Sequence, residues 1–170
     1  MRTKAVIFDA FGTLLKIHNG QHPYRRLIKL GQANGRRPHS DDVRVLMQMP
    51  ISLTEAADRL GISAPKAELD SLEQLLADEI AAIEPFSDGL AAVAMLQRHR
   101  VRVGVCSNLA HPYREAILRN YPGLDAYAFS YEVGAMKPDV TVAVGTAVTC
   151  RPPHRSVRAE LPHTAPASGM

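Results

Sequence analysis

The first apolar run of the chain is Ala5-Val6-Ile7-Phe8, four residues without polar alternation. A strand buried on both faces of a parallel sheet reads this way. The run stops at a carboxylate, Asp9, and Gly12-Thr13 then supply turn chemistry. A second run, VRVGVC over 101–106, ends in Ser107-Asn108, and a third strand is predicted over 125–130. Between the first two strands the period changes from strand to helix. Tyr24, Leu27, Ile28 and Leu30 recur near helical spacing, with Pro23 before them and Gly31 and Gly35 after.

Ser40-Asp41-Asp42 predicts another helix start, with acids at the positive end of the helix dipole and Val43, Leu46 and Met47 on one face. Ser52 and Glu55 are spaced as a capping box. Pro65 opens the longest helix, with a stripe of Leu69, Leu72, Leu75, Leu76, Ile80 and Ile83. Residues 18–84 are thus expected to form several short amphipathic helices, packed on one another beside the sheet. Ser87-Asp88 is expected to cap a further helix, and Pro112 to open one that runs to about Asn120. The segment YEVGAMKPD after the third strand reads as a loop carrying Lys137.

From Asp139 the texture changes. Residues 140–148, VTVAVGTAV, have β propensity, but beyond them Pro152, Pro153, Pro162 and Pro166 lie among Arg, His, Ser and Ala with no period. The stretch 139–170 is expected to be aberrant and disordered, and the abrupt shift suggests a frameshift or truncated reading near Asp139.

Composition adds limits. The 170 residues are 46% hydrophobic and 22% charged, globular values, with a formal net charge of +3. Part of that excess sits at Arg151, Arg155 and Arg158, and no basic helix face is interleaved with aromatics, so no nucleic-acid partner is expected. A small anionic substrate is compatible with the charge. The two cysteines, Cys106 and Cys150, do not suggest a disulfide framework, and no apolar run approaches membrane-spanning length. A cytoplasmic location without membrane contact is expected; nothing bears on oligomeric state.

Three chemical groups fall at corresponding places. Asp9 follows the first strand, Ser107-Asn108 the second, and Lys137 the loop after the third. In a parallel sheet all three meet at the C-terminal edge, where open α/β sheets bind ligands. Taken singly each has an ordinary reading. Asp9 would suit a turn, Ser107 a helix N-cap, and Lys137 a solvated surface.

Together, VIFDAFGTLL, VGVCSNLA and GAMKPD resemble motifs one, two and three of the haloacid dehalogenase-like (HAD) hydrolase superfamily. The helical insertion resembles that family's type 1 cap. The resemblance implies an α/β fold: a doubly wound parallel-sheet, Rossmann-like core over 1–17 and 85–138, and an all-helical cap over 18–84. It implies Asp9 as nucleophile, Ser107 and Asn108 holding the transferring group, and Lys137 neutralising charge. The Gly12-Thr13 turn would offer backbone N–H groups to an oxyanion, and Arg25 and Arg26 of the cap would bind substrate, unless they form only an exposed basic face. Mg²⁺ would be held by Asp9 and the Phe11 backbone carbonyl.

Two departures shape the expected function. The phosphatases of the family mostly carry an acid two positions after the nucleophile, and here Phe11 stands there. A halide leaving group needs no proton, whereas general acid help to an alkoxide is typically worth ~10²–10⁴-fold. The acidic fourth motif is also missing; Val144-Gly145-Thr146 is at most a degenerate echo. Mg²⁺ binding should therefore be weak or absent, and the sheet should be open beside its first strand. The simplest reading is a phosphatase acting on a small phosphomonoester. A 2-haloacid dehalogenase-type hydrolase and an inactive binding module that keeps the fold are the alternatives.

Overall fold

The computed structural model describes residues 3–18 and 20–139. The elements run β1 (Ala5–Phe8), β2 (Leu15–Lys16), α1 (Pro23–Ala33), α2 (Asp42–Gln48), α3 (Leu53–Arg59) and α4 (Lys66–Ala81). It continues with β3 (Glu84–Pro85), α5 (Ser87–Arg98), β4 (Arg102–Ser107), α6 (Arg114–Asn120), β5 (Ala126–Phe129) and α7 (Ser130–Val133). The 140–148 run, the Val144-Gly145-Thr146 echo and the proline-rich tail lie outside the described residues.

β1, β4 and β5 form a parallel sheet in the order β1-β4-β5. Phe8 pairs with Val105, and Ser107 with Phe129, so the C-terminal ends of all three strands finish at one edge. This is the parallel sheet with flanking helices that the motif order predicts. One expectation needs correcting. β1 is not buried on both faces, for Ile7 is 45% exposed. Among the described residues β1 pairs with β4 alone, which makes it an edge strand.

The four inserted helices leave the sheet through β2 and return through β3, and these two strands pair antiparallel over two residues. That pairing was not predicted, because two residues carry no period. α4 packs against α1 and α3, and α2 packs against α3 and reaches across to α7. The apolar stripes do more than hold the helices to one another. Leu14, Leu15, Leu27, Leu53, Val103, Val105, Ile117 and Phe129 are nearly inaccessible and belong to one continuous core spanning the sheet and the insertion.

Local signals were mixed in quality. The capping box forms: Glu55 N–H donates to Ser52 Oγ at 3.1 Å and Ser52 N–H to Glu55 Oε2 at 2.7 Å. Ser87-Asp88 does not cap α5. Phe86 stands at its N-cap with no side-chain cap, and Asp88 Oδ1 accepts from Gly89 N–H at 2.9 Å. Asp42 is not a simple dipole acid either. It is buried, paired through both oxygens with the Arg36 guanidinium (2.7 and 2.5 Å), and accepts from His39 N–H. The Arg36 hydrogen bond holds its carboxyl below the usual carboxylate range. No helix of the described residues is long and apolar enough to cross a membrane.

Candidate active site

Asp9 sits one residue beyond β1, level with the end of β4, and its side chain is 46% exposed. Lys137 Nζ donates to Asp9 Oδ1 at 2.8 Å and to the Cys106 carbonyl at 2.9 Å. Ala10 N–H also donates to Oδ1, at 2.9 Å. Among the described residues Oδ2 takes no hydrogen bond. One carboxylate oxygen is thus fixed by a cation and a backbone donor, and the other is left open. An ion pair this exposed adds at most ~1 kcal/mol of stability.

Lys137 is held by Asn108. Its backbone N–H donates to Asn108 Oδ1 at 2.8 Å, and Asn108 Nδ2 donates back to the Lys137 carbonyl at 3.2 Å. The amide of Asn108 is therefore committed to the lysine loop, which makes it a positioning group. Below it, the buried Ser130 Oγ accepts from Leu109 N–H at 3.1 Å and ties the loop after β4 to α7. Ser107 is buried at the end of β4, and Cys106 is also buried, as a small apolar residue should be.

The Gly12-Thr13 turn departs from expectation. Gly12 N–H donates to the Leu15 carbonyl at 2.9 Å, and Thr13 N–H to the Ala10 carbonyl at 3.3 Å. Leu14 and Leu15 N–H groups converge on that same Ala10 carbonyl. The turn closes on itself, so these two amides are not offered to an oxyanion. Gly12 is needed for its φ of +80°, not for space, since a Cβ there would touch nothing.

A cavity of about 290 Å³ opens between the sheet edge and the inserted helices; Phe11 and Asn108 line it, whereas Asp9, Ser107 and Lys137 do not. Phe11, Leu109, Ala110 and Tyr113 form its core side, next to Asn108. Ile17, Tyr24, Leu46 and Met47 face them, with His22 and Arg25 as the charged or ionisable groups. Phe11 meets the Tyr113 ring edge-on, with centroids 5.8 Å apart. The two candidate arginines separate. Arg25 lines the cavity, whereas Arg26 donates to the Gln21 carbonyl and to Gln21 Oε1 and lies away from it.

Sequence reasoning missed Glu79. It reads as one more acid on α4, yet it is 4% exposed. Its carboxylate accepts from Gln21 N–H, from His22 N–H at 2.9 Å, and from the Tyr113 hydroxyl. Burial, then this hydrogen bond, pushes the Tyr113 phenol well above its ordinary value. One carboxylate thus joins the way into the insertion, its last helix and the core wall of the cavity. Its partners lie 57, 58 and 34 residues away, so no local spacing could have revealed it.

A parallel sheet with a carboxylate and a lysine paired at its C-terminal edge, and a cavity nearby, has the ligand-site placement of open α/β enzymes. The model of the haloacid dehalogenase-like hydrolases matches residues 3–142, and the chain belongs to that family. Among solved structures, a HAD family enzyme from Bacteroides thetaiotaomicron is 16% identical, with a TM-score of 0.56 over 86% of this chain and 77% of that one. The same enzyme in complex with magnesium and inorganic phosphate gives a TM-score of 0.55 at 16% identity, covering 87% and 78%. A protein from Porphyromonas gingivalis, described as a predicted HAD-like family hydrolase, matches at 0.56 and 16%, covering 86% and 75%. No curated protein sequence matches the chain.

Proposed function

We propose that the chain hydrolyses a small phosphomonoester through Asp9. The observation that carries this reading is the Lys137 ammonium 2.8 Å from Asp9 Oδ1, with Oδ2 left without a partner among the described residues. In this reading Asp9 Oδ2 attacks phosphorus, the bond to the leaving oxygen breaks with its electron pair, and water then hydrolyses the aspartyl-phosphate. Lys137 neutralises charge on the carboxylate and the phosphoryl group, with Ser107 hydrogen-bonding the latter. Asn108 keeps Lys137 in place, and Arg25 faces the substrate from the helical cap. We take residues 1–17 and 85–138 as core and 18–84 as cap.

Among the described residues no group of three or more His, Cys, Asp or Glu could hold a metal. The donors to hand are the Asp9 carboxylate and the Phe11 carbonyl. They supply a single carboxylate, so with water and substrate phosphate completing the shell they would hold Mg²⁺ weakly. The solved relative bound to magnesium and phosphate supports that assignment. When bound, the ion supplies charge neutralisation at the phosphoryl oxygens.

The second reading is a haloacid dehalogenase-type reaction. It is favoured by a cavity wall without a carboxyl group, since halide departs without a proton. Assays of the full chain with phosphomonoesters and with 2-haloacids, with and without a chelator, separate the two. Phosphate release that needs Mg²⁺ and is lost in Asp9→Asn is the expected result. Chelator-insensitive halide release would replace it with the second reading, and no turnover of either kind would leave a binding module.

A further inference from the structure

We propose that the substrate is the phosphate ester of a phenol, a single aromatic ring with at most a short substituent. This rests on the phosphatase reading and adds the identity of the leaving group. The first observation is the wall. Phe11, Tyr24 and Tyr113 present three aromatic rings, and Leu46, Met47 and Leu109 add aliphatic surface. Rings of this kind favour edge-on and offset contacts with another ring.

The second observation is how few polar groups on that wall remain available. The Asn108 amide is taken by the Lys137 backbone, and the Tyr113 hydroxyl by Glu79. That leaves the His22 ring and the Arg25 guanidinium as the polar groups on offer, beside a Tyr24 hydroxyl buried without a partner among the described residues, so the several hydroxyls of a sugar or glycerol body would find fewer partners here than in water.

The third observation concerns the proton. No carboxyl group lines the cavity, and the Tyr113 phenol, pushed up by burial, already gives its proton to Glu79. The His22 ring, also on the wall, packs against Gly20, where a Cβ would lie 2.9 Å from it. A leaving oxygen therefore has no carboxylic acid beside it on this wall. A phenolate departs without one far more readily than an alkoxide. Asp9 Oδ2 forms the bond to phosphorus, the aryl P–O bond breaks with its pair on the phenolic oxygen, and that oxygen takes a proton from water.

Size accommodates one ring. A dry cavity of ~150 Å³ accepts benzene, so about 290 Å³ holds a ring, a short substituent and the ester oxygen.

The test is a calorimetric titration of the full chain, with Mg²⁺, using phenylphosphonate, glycerol 3-phosphate and inorganic phosphate. Phenylphosphonate should bind at least ~10-fold more tightly than the other two, the scale on which an apolar pocket discriminates. Met47→Asp, checked for folding by circular dichroism, should erase that advantage; Ala110→Asp is a second probe from the opposite wall. Equal binding of the three, or no binding of phenylphosphonate, overturns the proposal. Turnover then separates the two layers. Aryl binding preference without Asp9-dependent hydrolysis supports the cavity assignment and strikes the phosphatase reading. Asp9-dependent hydrolysis of glycerol 3-phosphate as fast as phenyl phosphate strikes the cavity assignment alone.

Discussion

Asp9 and Glu79 are two carboxylates at the same seam between sheet and helices, and they are used in opposite ways. Asp9 is 46% exposed, fixed through one oxygen and open at the other. Glu79 is 4% exposed, and its oxygens take two backbone N–H groups and a tyrosine hydroxyl. Spare valence at a fixed place suits chemistry; a carboxylate with its partners supplied suits construction. Burying a charge is tolerable only when it is paired in this way. The difference predicts that substitutions on the two sides will separate activity from stability.

The largest effect should come from Lys137→Met. Its ion pair is too exposed to matter much for folding, so stability should change by less than ~1 kcal/mol. Turnover should fall by ~10²-fold or more, as when a preorganised charge is removed from a reacting group. Denaturant melts beside steady-state rates check both halves; a large loss of stability would place Lys137 on the construction side.

Glu79→Ala should do the reverse. It leaves the Tyr113 hydroxyl and two backbone N–H groups without their partner, at a cost of about 3 kcal/mol or more. Because Tyr113 and His22 line the cavity, KM should rise more than kcat falls. Tyr113→Phe, which removes one donor and keeps the ring, should be milder in both respects. A stability unchanged in Glu79→Ala would break the comparison.

Asn108→Ala falls between the two, since the Asn108 amide gives its hydrogen bonds to the backbone of the lysine loop. It should cost about 1–2 kcal/mol and lower kcat less than Lys137→Met does. The smallest effect at neutral pH belongs to Arg26→Ala, which should leave kinetics unchanged, whereas Arg25→Ala should raise KM.

The Arg36–Asp42 pair sharpens the construction side through pH. Asp42 titrates lower in the folded chain than in the unfolded one, where a carboxyl of this type has a pKa of about 3.9. Its stabilisation is therefore complete above that value and lost as pH falls through the depressed folded value. Asp42→Asn should lower stability at neutral pH and flatten the acid side of the stability profile in urea titrations. Parallel profiles for the two proteins would show that the pair carries no linkage.

The candidate site was legible where polar residues coincide with a strand end. Asp9 follows β1, Ser107 ends β4 and Lys137 lies in the loop beyond β5 and α7, and a parallel sheet brings such positions to one edge whatever their separation. The capping box at Ser52 and Glu55 and the opening of α4 after Pro65 were legible because both ends of the signal are local. What was missed is non-local or too short. Glu79 gains its meaning from Gln21, His22 and Tyr113, and β2 and β3 are two residues each. The Gly12-Thr13 amides were misjudged for a related reason. Composition identifies a turn, but only the geometry shows its donors folding back onto Leu15 and Ala10. Ile7 marks a boundary of another kind, because its pattern describes an interior strand while its neighbours among the described residues leave it at an edge.

The central claim is that Asp9 carries the phosphoryl group. The full chain turning over p-nitrophenyl phosphate with Mg²⁺ can be quenched in acid, digested and mapped by mass spectrometry. The account predicts a phosphoryl adduct on the peptide containing Asp9, absent from Asp9→Asn together with turnover. Phosphate release that survives in Asp9→Asn would contradict it.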